Sequence, residues 1–322
     1  MQSTVATREG YAGLGLALTA GATFGLSGSF GTSLLDVGWS PLGVVFGRLL
    51  GAAVLLCVPL AVVVARGWRP RRAHVRSATA YGIFAVAGTQ LCFFSAIQYL
   101  SVGVALLLEF LAPVLLLGWA WWRTGRPPAP RTLAGAAVAI AGLVLVLDVA
   151  GDATIQPLGV LWGLGAALCV CVFFQTSAGE DSPPPLVLTA SGMAVGAAVV
   201  GVIGVVGLLP FDFDAADTSL AGRQLPWWAI LLLLAGVSTV VAYVCGIMAI
   251  ARLGPRIASF VGLSEVLFAV LGAWWLVGER PTLSQLVGGI LVVGGIAIIR
   301  YAERASRVEP ARARRADSQA LP

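Results

Sequence analysis

Ten stretches of this chain run 18 to 25 residues with almost no charge, separated by short polar or basic segments. They cover residues 11–32, 41–65, 77–98, 100–122, 132–149, 157–178, 185–208, 226–250, 256–278 and 282–300. A helix rises about 1.5 Å per residue and the apolar slab of a bilayer is roughly 30 Å thick, so about 20 such residues cross it. Pro41, Pro157, Pro185, Pro226, Pro255 and Pro281 flank run starts, where a first-turn N–H has no helical partner to lose. Ala20-Gly21-Ala22 imitates a signal-peptidase site. The apolar run continues past it to Phe30, so the first run reads as a true span. The pattern predicts an all-α integral membrane protein with ten transmembrane helices.

The chain also repeats itself. Displaced by 153 residues, AIQYL (96–100) falls on AIARL (249–253) and AWWRTGRPP (120–128) on AWWLVGERP (273–281). Cys92 meets Cys245, Leu133 meets Leu286, Gly135 meets Gly288 and Gly142 meets Gly295. Five spans per repeat is an odd number, so the two halves must enter the membrane in opposite directions. The expectation is two inverted five-helix repeats, 11–149 and 157–300, a transporter plan that places substrate near the midplane between the halves. Residues 1–10 form a short N-terminal segment, and 301–322 an arginine-rich tail expected to be disordered and to touch anionic headgroups.

Composition agrees with the pattern: 58% of the 322 residues are hydrophobic, 11% are charged and mean hydropathy is +0.93. A soluble domain carries about 25% charge. The 20 basic residues are all arginine. With the N-terminus inside, every arginine except Arg48, Arg223 and Arg280 falls on the cytoplasmic side. That asymmetry requires an even number of spans and puts both termini in the cytoplasm. Basic clusters of this kind set membrane orientation, and no nucleic-acid partner is expected. The outer loop with Asp212, Asp214 and Asp217 reads as solvated. All five cysteines lie in apolar runs and read as buried hydrophobes, and His74 stands in a basic loop without metal-ligand partners. No metal and no cofactor are expected.

Three charges lie well inside spans, at Arg48, Glu109 and Glu265. Such charges cost about 2.5–3.5 kcal/mol each at a helix centre and mark functional positions. Pro113 cannot donate to the carbonyl of Glu109, so a carboxylate and a freed backbone oxygen share one level of one helix. Protein or a wet cavity must satisfy both. Glu109 neutralises Arg48, lines that cavity, or does both; Glu265 shares a face with Ala258, Gly262, Ala269 and Gly272, which suits close packing or a cavity wall. Thr19, Thr23 and Ser27 recur every fourth residue in the first run, and Gln90 and Tyr243 are repeat equivalents. These are the further lining candidates. Gly135/Gly142 and Gly288/Gly295 suit helix packing or a homodimer contact, and the tryptophans at 119, 121, 122, 274 and 275 suit interfacial anchoring.

LSEVLFAVLGAWWLVGERPTLSQLVGGILVVGGI (263–296) resembles the closing signature of EamA-type transporters of the drug/metabolite transporter superfamily. VALLLEFLAPVLLLGWAWW (104–122) is similar to the same element in the threonine/homoserine exporters of that superfamily, and FGRLLGAAVLL (46–56) to its arginine-bearing second span. The resemblance implies ten helices in two repeats, a central cavity, cytoplasmic termini in the inner membrane of a bacterium, and export of amino acids or related small metabolites. The second repeat of such proteins reads Glu-Pro; here Val266 follows Glu265, so no proline breaks the ninth run.

The expected activity is secondary transport by alternating access, with Glu109 or Glu265 meeting a proton or a substrate ammonium. Other solutes, such as drugs or nucleotide-type metabolites, are the alternative, and a non-transporting structural role a remote one. An intramembrane enzyme would need clustered aspartates, HExxH or a serine–base pair within spans. None is present, nor is a phosphate-binding GxxxxGK[ST] loop, and without lysine no retinal Schiff base forms.

Overall fold

The computed structural model describes residues 2–96, 99–100, 102–146, 156–179, 182–277 and 281–319. Among them are ten helices and one β-hairpin. In chain order these are α1 (Gln2–Leu35), α2 (Pro41–Ala65), α3 (72–96), α4 (102–124), α5 (Pro130–Val146), α6 (Pro157–Ala178), α7 (Pro185–Val205), β1 (Thr218–Leu220), β2 (Arg223–Leu225), α8 (Trp227–Leu253), α9 (255–277) and α10 (Leu283–Gln319). Arg280 and the end of the fifth run lie outside the described residues. Among the described residues, six segments are long and apolar enough to cross a membrane: Pro41–Ala65, Ala105–Thr124, Pro157–Ala178, Pro185–Val205, Trp227–Leu253 and Pro255–Leu276. Pro130–Val146 and Leu283–Ile299 are apolar but shorter. α1 is diluted by glycine, serine and threonine, and α3 begins within the basic stretch Arg69–Arg76.

Proline opens α2, α5, α6, α7 and α9, and Ser40 caps α2 by accepting from the Gly43 N–H at 3.1 Å. Four helices are irregular inside. α4 is interrupted at Phe110–Leu111, between α-helical Val102–Glu109 and Ala112–Thr124, as the missing N–H of Pro113 requires. α9 is interrupted too, at Leu263 between Pro255–Gly262 and Ser264–Gly272. This corrects the expectation of an unbroken ninth run. The turn tightens there, Leu263 N–H donating to Phe260 O and Val266 N–H to Leu263 O, and Gly262 adjoins it. Helix thus breaks at equivalent levels of both repeats, with proline in one and without it in the other. π-helical turns form a second matched pair, Tyr81–Gly88 in α3 and Leu233–Val241 in α8.

The packing has the same internal correspondence. α1 packs on α8 and α9, and its repeat equivalent α6 packs on α3 and α4; α2 pairs with α7 and α5 with α10. In that last pair a Cβ on Gly142 would lie 2.6 Å from Gly288 O, one on Gly288 2.6 Å from Gly142 O, and one on Gly295 2.6 Å from Gly135 O. The contact joins 135 to 295 and 142 to 288, so two sequence-equivalent helices lie antiparallel, backbone against backbone. These glycine faces are consumed inside one chain, which removes the sequence argument for a homodimer through them.

Buried side chains form a core between α2, α3, α7 and α8, around Leu49, Tyr81, Val86, Met193 and Ile247. A second lies between α4, α5, α9 and α10, around Leu117, Leu143, Phe260 and Val292. Trp119, Trp121, Trp122, Trp274 and Trp275 stand exposed on the outer surface. The acidic loop holds its carboxylates in solvent, but its backbone is docked: Ser40 N–H donates to Asp212 O at 3.1 Å and Ala221 N–H to Leu276 O at 2.9 Å. The tail after Arg304 is helical through Gln319, not disordered. Alanine and arginine, which dominate it, favour helix.

Candidate functional site

A cavity of about 590 Å³ opens between the helices, with walls from α1, α2, α3, α4, α6, α8 and α9. Its lining on α1 runs from Ala17 to Leu35, about 27 Å of axis at 1.5 Å per residue. The cavity therefore reaches the helix ends that carry Leu35 and Pro41. At the opposite end it is closed by a cluster of Ala17, Ala249, Ile250, Leu253, Ala258 and Val261. There α1 comes so close to α8 that a Cβ on Gly13 would meet Leu253 Cδ2 at 2.9 Å.

The three intramembrane charges converge on this cavity. Arg48 enters from α2, Glu109 from α4 and Glu265 from α9. Each is enclosed by protein, yet each keeps some exposed surface because that surface faces the chamber. Arg48 does not pair with Glu109: among the described residues no carboxylate stands within ion-pair distance of it. Its Nε donates to Thr239 Oγ1 at 3.2 Å and its Nη2 to Ser238 O at 3.4 Å. Both partners belong to the π-helical stretch of α8, and Thr239 in turn donates to Leu234 O at 2.8 Å. The guanidinium is thus anchored by neutral groups, and its charge lies within electrostatic reach of Glu265 and Tyr243.

Glu265 is set by α1. A Cβ on Gly25 would lie 2.8 Å from Glu265 O and 2.7 Å from Ala269 N, and one on Gly21 2.9 Å from Ser264 Oγ. Only glycine lets the two backbones meet at this level. Of the small residues on the Glu265 face, Ala269 and Gly272 pack against α1 while Ala258 and Gly262 line the cavity. Both readings of that face hold, for different residues.

Gln90, Tyr243 and Pro113 line the cavity, as does Ser27. Thr19 and Thr23 do not. Their hydroxyls donate back to Gly15 O and Thr19 O at 2.9 and 2.8 Å. A four-residue step advances 400° around a helix, so a Thr19–Thr23–Ser27 series drifts 40° per step, and only its last member reaches the chamber. Besides Ser27, the lining of α1 includes Ala17, Gly21, Phe24, Gly28, Gly31 and Thr32.

Sequence reasoning missed the aromatic wall: Phe24, Phe93, Phe110, Phe173 and Phe174 face the same space. Phe24 meets Tyr243 edge to face at 4.8 Å, and Phe173 meets Phe174 at 5.0 Å and Tyr243 at 5.8 Å. Phenylalanine within an apolar run has no mark that separates a lining ring from a core ring.

A chamber of this size, polar at a few points and apolar elsewhere, is the form of a small-molecule site. In a bundle of membrane-length helices it defines a solute carrier. A model of the EamA-like transporter family matches residues 11–148 and again 157–301, and the chain belongs to that family. An uncharacterized transporter of Archaeoglobus fulgidus is 28% identical over 208 residues, covering 64% of this chain and 70% of the relative. A solved crystal structure of a protein 20% identical in sequence aligns with a TM-score of 0.69, over 94% of this chain and 99% of that one. At that identity the likeness concerns the fold.

Proposed function

We propose that this transporter moves amino acids or related small zwitterions outward across the cytoplasmic membrane of a bacterium by alternating access between two inverted repeats. The observation that carries the substrate class is the separation of charge in the chamber. One guanidinium, held by neutral partners, and two carboxylates line a single cavity without an ion pair to Arg48 among the described residues. A buried charge without a partner is costly, so the arrangement suits a solute that supplies both signs, its carboxylate at Arg48 and its ammonium at Glu109 or Glu265. The resemblance of 104–122 to threonine/homoserine exporters supports the same class. Inversion of the repeats is supported by the antiparallel α5–α10 pair and by the matched breaks at Phe110–Leu111 and Leu263. The arginine distribution supports an even number of spans with both termini cytoplasmic, and on that orientation the cavity opens outward, with the Ala249–Leu253–Ala258 cluster as the inner closure.

The aromatic wall favours a second reading, export of organic cations, because phenylalanine faces attract cations. One experiment separates the two. Cells with and without the overproduced protein are compared for metabolites in the medium, and purified protein in liposomes is assayed for counterflow. Amino acids enriched outside the producing cells and exchanged by the liposomes support the first reading. Exchange of organic cations alone supports the second, and no flux of any solute defeats both.

A further inference from the structure

The two cavity carboxylates are not repeat equivalents. The 153-residue displacement puts Glu109 on Gly262 and Glu265 on Ala112, while Pro113 falls on Val266. The helix breaks do correspond, at Phe110–Leu111 and Leu263. Glu109 is therefore the last residue before its break and Glu265 the second residue after its own. One acid closes a helical segment, and the other stands in the first turn of one. Unpaired N–H groups gather at a helix start and unpaired carbonyls at its end, so the backbone favours an anion at Glu265 and opposes one at Glu109.

The side chains around them add to this difference. Glu265 has the Arg48 charge within reach. Glu109 faces Glu265 from α9, Cys92 from α3, Cys169 from α6 and Tyr243 from α8, while Cys171 of α6 turns to the Ala112 carbonyl. Among the described residues of these elements no cation acts on it.

Resting on the transport reading above, we propose that the carboxylates divide the work: Glu109 takes up and releases the coupling proton, and Glu265, opposite Arg48, is the fixed anion that holds the substrate's cationic end. The two steps are linked through their shared charge. A cation arriving at Glu265 cancels the negative charge that Glu109 faces, and a proton leaves Glu109 into the wet chamber. Departure of the substrate restores that charge, and Glu109 regains a proton from the side then open. One proton moves against one substrate molecule, which is exchange. The break after Glu109 supplies this asymmetry without any departure from the paired architecture.

The test is proton uptake read directly by pH-difference infrared spectroscopy of the purified full-length protein, with exchange into heavy water to mark carboxyl bands. The expected result is a pH-dependent acid-form band from an enclosed carboxyl that is lost in Glu109→Gln and retained in Glu265→Gln. Glu109→Asp keeps a band at a changed frequency and midpoint, which covers the case of a poorly folded glutamine variant. A band lost in Glu265→Gln and kept in Glu109→Gln overturns the assignment, as does a spectrum unchanged in both. Counterflow on the same preparations keeps the two claims apart. Solute exchange with the band on Glu265 sinks the division of labour alone, and a Glu109 band in a protein that moves no solute sinks the transport reading alone.

Discussion

Replacing Gly25 with alanine tests whether the seat of Glu265 is built by backbone contact. The new Cβ would lie 2.7 Å from Ala269 N, 2.8 Å from Glu265 O and 2.8 Å from Phe268 Cβ, where ordinary contact begins near 3.4 Å. α9 must then retreat from α1 by about 0.7 Å at the level of Glu265, because two of the three nearest atoms are backbone and cannot rotate away. Overpacking of this kind costs about 1–3 kcal/mol, against the roughly 0.5–1 kcal/mol that alanine gains over glycine within a helix. The expected net loss is about 1–2 kcal/mol, or about 5- to 30-fold in the folded-to-unfolded ratio. Gly15 is the control: nothing lies within 4 Å of its Cβ position, so alanine there keeps only the helical gain of about 0.5–1 kcal/mol. Equilibrium unfolding in mixed micelles compares the two variants with the parent. The signs should be opposite, and transport by Gly25→Ala should fall with the displaced carboxylate. A Gly25→Ala protein as stable as Gly15→Ala would refute the close approach and the positioning of Glu265 drawn from it.

Three further outcomes are expected. Gly142→Ala and Gly288→Ala should each destabilise the α5–α10 pair, and their double variant should cost less than the sum, since both insert a methyl at one contact; strict additivity measured by unfolding would contradict that shared contact. Arg48→Lys keeps the charge but loses the bond to Thr239; a bond to a charged group is worth about 1.5–3 kcal/mol, so KM for exchange should rise at least about tenfold, with a smaller rise for Thr239→Val, and parental KM in both would show that the guanidinium is not held this way. Thr19→Val and Thr23→Val should leave exchange unchanged, because both hydroxyls are spent on their own helix; a large loss of rate in either would return these threonines to the site.

What the sequence revealed depended on how local each cause was. The Glu109–Pro113 spacing announced the break in α4, since the missing N–H is a property of one residue. The break in α9 has no such residue, and emerges only where Gly262 and α1 meet in three dimensions. The π-helical turns of α3 and α8 were likewise invisible, because a widened turn preserves the apolar run that hides it. The glycines at 135, 142, 288 and 295 were legible as packing positions but not as one another's partners. Arg48 and the glutamates stood out as charges in apolar runs, whereas Phe24, Phe93 and Phe173 looked like any core aromatic. Thr19 and Thr23 misled because a four-residue period drifts around the helix and was extended over too many turns.

The central claim is that one wet chamber between the two repeats opens to each side of the membrane in turn. Its most direct test uses protein lacking the five native cysteines, with a single new one at Ser27→Cys in the chamber wall or at Val54→Cys on the exposed apolar face, where Val54 is 61% exposed. A membrane-impermeant methanethiosulfonate reagent is applied to either side of oriented vesicles. Ser27→Cys should react with reagent on the outer side, and from the inner side once solute drives the cycle, while Val54→Cys stays unreactive in lipid. If Ser27→Cys is as inert as Val54→Cys from both sides, the chamber is dry or sealed, and these helices do not form a carrier.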